Sequence, residues 1–584
     1  SRSEQQQKNS GLRATRFFVR RRIRAPPLPP STRTHAPPKT PAAMGVLTVG
    51  SLLLSNSLMS FGTSYLALLT SLTSLATLFF AYAYYHQKVL FKQLSSLPGP
   101  RDVLNIPFSG TLSIGLDLLR QLTFTHPLDT MMHRFLCQMS TKHRDSGLFH
   151  LHRIFTPLVF VFRADHVEQV LSHSTNIRKG ELYNTFIPWL RRGLLTSDGA
   201  KWKARRRQLN PVFHYRNLDN YNEIINEQAL RFADVLSKRT KDQADIVPYV
   251  NKLSLDLISS TILGVPMDSL LGADGAEYLQ SVSDFSRIIL TRGVFPHEWN
   301  MSTFRLLPKA RKHDELLKKL WGFTANIIEE RKQILLKEQE ANKGKKMPET
   351  PDKCRPLLDI LLDLHLQDPQ SMTTLNIQEE VDTFTFSGHD TTALGLMFCM
   401  FLIGCYPDVQ EKIQQEIDCV FADDRDAPVT AEKLKELKYL DIVIKECHRV
   451  LPPVALIGRV LDEDMVFNNN PVPKGTHVFI HIYSLHRDPE VFANPEKFDP
   501  DRFLPENAAG RNAFAYVPFS AGPRSCIGQR YARMVEKVVI TQILKNHNMV
   551  SLERKEDLEL VQDIVLHSKN GLKTMIVPRT TPVS

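Results

Sequence analysis

Cysteine is scarce in this 584-residue chain. There are seven (Cys137, Cys354, Cys399, Cys405, Cys419, Cys447 and Cys526), an odd number, with no CxxC pair and no histidine at zinc-finger spacing. A disulfide scaffold and a zinc site are therefore not expected, and a reducing, cytosol-facing location suits the thiols better. Long Pro-, Gly- or Ser-rich linkers are missing between Pro98 and Arg579, and no internal repeat is evident. The body thus reads as one large domain rather than three or four. Acid is nearly missing from the N-terminus: residues 1–43 hold ten basic groups and one acid, Glu4. Most of the formal charge of +11 sits there, the remainder is close to neutral, and a nucleic-acid partner is excluded.

Residues 25–43 are dominated by proline, in runs such as Ala-Pro-Pro-Leu-Pro-Pro, which cannot pack a core. The basic leader 1–43 is expected to be translated sequence upstream of a true start at Met44, absent from the mature protein. The other reading is an Arg-rich targeting peptide, with import into mitochondria and a ferredoxin as electron donor. From Met44 to Tyr85 there is no Lys, Arg, Asp or Glu, and Tyr65 to Tyr85 is mostly apolar and about one bilayer long. Residues 44–97 are accordingly expected to be a transmembrane anchor and its linker. Lys88, Lys92 and Arg101 follow closely and place what comes after in the cytosol. Leu97-Pro98-Gly99-Pro100 breaks any helix and reads as a stiff hinge into a catalytic body, residues 98–584.

In that body, apolar residues recur at helical spacing over Asn217 to Lys241, Lys309 to Glu338, Gln378 to Gly404, Asp408 to Val420 and Gln529 to Asn546. Short β-rich pieces lie between them: Leu148 to Arg153, Leu158 to Phe162 and His477 to Tyr483. The expected class is mainly α with small β-sheets. Glu338 to Asp352, rich in Lys, Glu and Pro, reads as a solvated loop.

Phe519-Ser-Ala-Gly522-Pro-Arg524-Ser-Cys526-Ile-Gly528 is the most informative segment. Cys526 stands just ahead of a helical run, where amide hydrogens and the helix dipole stabilise a thiolate. Gly522 and Gly528 permit tight turns and the close approach of a flat macrocycle. Arg524 offers a planar fork to a carboxylate. The spacing resembles the haem-ligand signature of the cytochrome P-450 superfamily, Phe-x-x-Gly-x-Arg-x-Cys-x-Gly, and matches it at every fixed position. The resemblance implies the cytochrome P-450 fold and a haem-thiolate monooxygenase with Cys526 as the axial ligand to iron, since such a ligand favours cleavage of dioxygen.

The same resemblance gives other residues their expected roles. Glu446 and Arg449, three apart on one helix face, match the family's buried Glu-x-x-Arg pair, completed by Arg502. Trp202 and Arg206 match a Trp-x-x-x-Arg element that contacts a haem propionate, and Arg459 matches another propionate position. Their neighbours Arg205 and Arg207 read as a solvated basic face. Ser387-Gly-His-Asp-Thr-Thr392 lies within an apolar helix where its composition disfavours regular hydrogen bonding, so a local widening is expected. In the family this groove sits over the iron, making Asp390 the proton relay and Thr391 the oxygen-side hydroxyl.

Tyr183-Asn-Thr-Phe-Ile-Pro-Trp-Leu190, Asn210-Pro-Val-Phe-His214, Gly388-His-Asp-Thr-Thr392 and Tyr483-Ser-Leu-His-Arg-Asp-Pro489 resemble the fatty-acid omega-hydroxylase branch, family 4, of microsomal type. That branch implies long-chain fatty acids or related lipids as substrates, NADPH-cytochrome reductase as electron donor with room for cytochrome b5, and an endoplasmic reticulum membrane location. Many of its members carry glutamate just before Gly-His-Asp-Thr-Thr and esterify it to haem, whereas here the position is Ser387. Non-covalent haem b is therefore expected. The rival readings are a xenobiotic or hormone monooxygenase of broad specificity, a haem-thiolate isomerase or dehydratase, and a haem-binding sensor or scaffold.

Overall fold

The computed structural model describes residues 67–82, 84, 85, 94, 96–99, 128–153, 156–214, 218–239, 244–273, 275–341 and 355–579. The leader, the anchor before residue 67, Lys88, Lys92, Pro100, Arg101 and loop residues 342–352 lie outside the described residues. Contacts divide the chain into two units, residues 1–81 and 82–584. The first supplies the apolar helix α1 (Ala67–Tyr82), whose side chains Leu72, Leu75, Leu78 and Phe80 are exposed.

The second unit carries α2 (Leu128–Lys142), α3 (Ala164–Leu171), α4 (Gly199–Leu209), α5 (Asn222–Ser237), α6 (Val247–Ile258) and α7 (Ala276–Val294). It continues with α8 (Lys309–Ala341), α9 (Leu357–Gln367), α10 (Thr374–Cys405), α11 (Pro407–Val420), α12 (Lys438–Val450) and α13 (Gln529–Asn546). A four-stranded sheet combines β1 (Leu148–Arg153), β2 (Thr156–Val161), β3 (Leu456–Val460) and β6 (His477–His481) in the order β1-β2-β6-β3. The β2–β6 pair is parallel and the other two are antiparallel. Between β3 and β6 lies the small hairpin β4 (Met465–Phe467) and β5 (Asn470–Val472). Two further antiparallel pairs lie near the C-terminus: β7 (His547–Ser551) with β10 (Thr574–Pro578), and β8 (Leu560–Gln562) with β9 (Leu566–Ser568).

α10 runs through the core. Its C-terminal half, Ala393 to Gly404, is buried all round, as expected of a helix apolar on every face. Among the described residues it is the one helix long and apolar enough to cross a membrane, yet most of its apolar window is buried inside this unit. Thr373 caps its start by accepting from the Asn376 amide, 3.2 Å, so the helix begins four residues before the apolar spacing suggests.

The expected widening at Ser387–Thr392 is corrected: α10 is uninterrupted there. Thr383, Thr385, Ser387 and Thr391 instead turn their hydroxyls back onto the carbonyls of Glu379, Val381, Thr383 and Ser387, at 2.6 to 2.7 Å. Each polar group is satisfied inside the helix. The one π-helical turn among the described residues is Ser259–Leu263, which ends on Gly264 in the left-handed region at φ 72°.

Candidate functional site

The ligand loop is built by local bonds. Cys526 N–H donates to the Phe519 carbonyl at 2.9 Å and Ser525 N–H to that of Gly522 at 3.0 Å. Gly522 has φ +69°, and a Cβ there would run into the Leu171 carbonyl, so both conformation and space demand glycine. Gly528 is different: it has φ −87° at the N-cap of α13, and an added Cβ would meet only Cys526 Sγ, at 4.0 Å. Its turn does not require glycine. Phe519 stands edge-on to His448, ring centroids 5.4 Å apart, and His448 Nε2 is ion-paired to Glu536 at 2.9 Å.

Cys526 is exposed, yet surrounded deeply enough that burial raises its thiol pKa; the amides of Gly528 and Gln529 and the Arg206 charge act the other way. An exposed atom in a desolvated place lines an interior space. Cys399 and Cys447, by contrast, are buried thiols raised by desolvation, and Cys354 lies outside the described residues.

Cations gather around this loop. Arg206 Nη1 donates to the Ser525 carbonyl at 2.8 Å. Arg524 lies 4.2 Å over the Trp202 ring and donates to the carbonyls of Ile177 (3.0 Å), Leu194 (3.3 Å) and Ser197. Burial is the largest cause that pushes Arg524 down to about 9, with Arg459 adding to it. Arg459, 3% exposed, donates to the Gly458 carbonyl and reaches Ser520 Oγ at 3.5 Å. The structure thus brings together Trp202, Arg206, Arg459, Phe519, Gly522, Arg524 and Cys526, drawn from three separate stretches of sequence.

Behind the loop, Glu446 and Arg449 form a bidentate pair at 2.7 and 2.8 Å, both fully buried. Arg502 Nε comes to 3.6 Å from Glu446, and the Asp499 amide donates to the same carboxylate at 2.8 Å. The three residues read as a cluster in the sequence are a cluster in space.

Asp390 and Thr391 sit at the middle of α10. Burial raises the Asp390 carboxyl, with His389 and His567 opposing it. Thr391 Oγ1 donates to the Ser387 carbonyl at 2.7 Å. Gly388 beside them packs so closely on Ile258 that a Cβ would come within 2.7 Å of Ile258 Cδ1. Among the described residues no hydrogen bond ties Asp390 or Thr391 to the ligand loop.

Arg205 needs correction: it is not solvated but 6% exposed, its Nε 3.1 Å from Glu380 Oε1 though out of hydrogen-bond alignment. Its position three residues after the buried Trp202, on the same helix face, was a signal for this. Arg207 is exposed, as expected. Sequence reasoning also missed the acids that meet this segment. Glu380 accepts from the Leu194 amide at 3.0 Å, Glu379 pairs with Lys201, and Asp382 pairs with Arg191 at 3.2 Å.

The donor set suits an iron tetrapyrrole. One thiol faces an interior space, and the buried guanidinium groups beside it, Arg459 and Arg524, are bonded to carbonyl and hydroxyl oxygens with no carboxylate at salt-bridge distance among the described residues. A dicarboxylate would answer them. The Ser197 hydroxyl, whose own backbone carbonyl accepts from Arg524, is buried without a partner.

The family model described as Cytochrome P450 matches residues 118–575. The chain is 41% identical over 418 residues to Cytochrome P450 4V2 of Mus musculus, covering 71% of this chain and 79% of the relative. It is 34% identical over 498 residues to Cytochrome P450 4c3 of Drosophila melanogaster, covering 84% and 90%. Cytochrome P450 4d2 of the same fly is also 34% identical, over 493 residues, covering 83% and 94%.

Proposed function

The chain belongs to the cytochrome P450 family and is a cytochrome P450 monooxygenase, and on that premise we propose that it hydroxylates long-chain fatty acids or related lipids. The observation that carries this reading is that these relatives all bear family 4 names while covering most of both chains. The family 4 resemblance implies fatty-acid substrates.

Cys526 would hold the haem iron, with Arg206, Arg459, Arg524 and the Trp202 indole at the propionates. Phe519 and the turn at Gly522 fix the loop that carries the thiolate, and Gly528 opens the helix that follows. When bound, haem supplies the iron centre at which dioxygen is activated, and a thiolate ligand favours cleavage of the oxygen–oxygen bond. The chain's own part is to hold and move protons and to exclude water. Asp390, whose carboxyl pKa burial raises, stands at the relay position, where a carboxyl can pass a proton. Thr391 Oγ1 donates to the Ser387 carbonyl and keeps its lone pairs free to accept a hydrogen bond. Glu446, Arg449 and Arg502 serve structure behind the loop rather than chemistry.

Ser387 Oγ donates to the Thr383 carbonyl at 2.6 Å. A serine cannot form the ester that the branch's glutamate makes, so haem b is held non-covalently. The same departure supports a second reading, a xenobiotic or hormone monooxygenase with looser regiochemistry. Residues 44–97 anchor the enzyme in the endoplasmic reticulum membrane with the body 98–584 facing the cytosol, and the leader 1–43 is not part of the mature protein. NADPH-cytochrome reductase supplies electrons, with cytochrome b5 as a second donor.

The test is mass-spectrometric product analysis after incubating the Met44-start protein with reductase, NADPH and fatty acids of medium to very long chain. Hydroxylated fatty acid is expected, and acid extraction of the same preparation should release free haem. Haem-replete protein without any fatty-acid product would overturn the lipid reading, and haem retained on the polypeptide would overturn the non-covalent one.

A further inference from the structure

The helices α10, α12 and α13 pack on one another behind the ligand loop, and a buried pair of opposite charge stands where they meet. His448 Nε2 on α12 lies 2.9 Å from Glu536 Oε1 on α13, and both residues are 1% exposed. α10 contributes Gly395 at this point. A Cβ there would collide with Glu536 Oε1 and come to 3.3 Å from His448 Nε2, so the missing side chain is what makes room for the pair.

Packing alone gives no reason for these charges. Val443, Ile444 and Val450 on α12 are buried in the main apolar core, and an apolar pair of the same volume is often at least as stable in such a place. His448 Nδ1 and Glu536 Oε2 are also buried without a hydrogen-bond partner, which adds to the cost. Burial would lower the His448 imidazole, but the Glu536 charge, with the Cys399 thiol beside it, overcomes this and raises it to about 10.

The pair has one further contact, and it leads to the ligand. The imidazole meets the Phe519 ring with centroids 5.4 Å apart and planes at 67°, and the Arg533 guanidinium lies 5.9 Å from the centroid of the same ring. A cation at an aromatic ring is attracted to it, more strongly where water is excluded. The Phe519 carbonyl in turn accepts the Cys526 amide at 2.9 Å.

We propose that His448, paired with Glu536, is a positioning residue for the thiolate ligand: its ring fixes Phe519, and Phe519 fixes the backbone bond that sets Cys526. This rests on the haem-thiolate reading of the Cys526 loop. The ligand signature includes Phe519 but nothing that holds it, and His448 fills an open position between Glu446 and Arg449 without joining their cluster.

The test follows the ferrous carbon monoxide complex of the holoenzyme in mild urea, below the unfolding transition, as the red-shifted thiolate band gives way to that of a complex without the thiolate. His448→Leu should lose the thiolate band about tenfold faster than the parent, since one charged contact in a desolvated place is gone. Glu536→Gln keeps the shape and a hydrogen bond and removes only the charge, so it should speed the loss by about threefold. It also carries the test if His448→Leu does not fold. Arg331→Met opens a different pair, Arg331 with Asp359 at 2.6 and 2.7 Å between α8 and α9. It should lower the unfolding midpoint and leave the rate of band loss at the parent's value, which separates the ligand loop from general stability. In a Phe519→Leu background, His448→Leu should add nothing, because the contact it removes is already gone. Band loss at the parent's rate in both His448→Leu and Glu536→Gln would overturn the proposal. So would equal acceleration by Arg331→Met, or fully additive effects of His448→Leu and Phe519→Leu. A parent protein without the red-shifted thiolate band would instead sink the haem-thiolate reading itself.

Discussion

Two groups of buried charge in this protein differ in one respect. Where α10 meets the segment between Leu190 and Arg205, acids and cations come in matched sets: Glu379 with Lys201, Glu380 with Arg205, Asp382 with Arg191. Glu446 with Arg449 and Arg502 is closed in the same way. Where the ligand loop meets β3, Arg459, Arg524 and Lys179 have carbonyls, a hydroxyl and an aromatic face around them but no carboxylate at salt-bridge distance among the described residues. A closed set holds segments of the chain to one another; an open one of a single sign is waiting for a ligand of the other sign. The distinction locates a binding site without reference to any motif, because it depends only on the cost of leaving buried charge unanswered.

The largest effect that could break this division comes from opening a closed set. Arg449→Met would strand Glu446, which is fully buried and also receives the Asp499 amide. Removing one partner of such a pair costs about 3 to 5 kcal/mol. The expected outcome is loss of most folded protein, read as a collapse of the thermal unfolding midpoint whether or not haem is added back. Recovery of a parent-like midpoint by excess haem would mean that the Glu446 cluster belongs with the open set.

A smaller contrast lies within one helix. Arg205 is buried against Glu380 and Arg207 two residues later is exposed. Arg205→Gln should cost about 1 to 3 kcal/mol, the penalty for an unanswered buried polar group, and Arg207→Gln should fall within about 0.5 kcal/mol of the parent. Urea titration of the two variants measures both. Equal costs would show that the α4 face is as solvated as its basic composition suggests.

Much of this was legible where the signal is local. The ligand loop packs its requirements into ten residues, and Gln529–Asn546 is helical over the span its apolar spacing suggested. β1 likewise runs over Leu148–Arg153 as read. The neighbouring reading of His477 to Tyr483 as strand ran on too far, because β6 stops at His481 and Ile482–Leu485 turns helical. The mid-helix hydroxyls were read as a defect, since spacing alone cannot show that each will bond its own helix four residues back. The pairing of Glu380 and Asp382, and the setting of Lys179, were invisible for a different reason. What makes them matter is a partner, or the lack of one, supplied by distant parts of the chain, and no window of sequence contains both.

The finest test concerns how ionic the closed set on α10 is. Burial, the largest cause, pushes Glu380 up to about 7 from its ordinary 4.5, against the opposing Arg205 charge. A carboxyl raised in this way binds its proton more tightly folded than unfolded. Its contribution to stability is therefore present below the unfolded value and is lost as pH rises from about 4.5 through about 7. Glu380→Gln, neutral throughout, should lack that loss. Relative to the variant, the parent should gain stability on acidification across this window, by on the order of 1 kcal/mol, read from denaturation midpoints at pH 5, 6 and 7. If the parent instead loses stability on acidification relative to the variant, Arg205 holds Glu380 ionised and the set is a true salt bridge. The misaligned 3.1 Å approach of Arg205 Nε to Glu380, beside the well-formed bond from the Leu194 amide, favours the first outcome: hydrogen bonding more than charge holds Glu380 in place, and the charge balance of this set depends on pH.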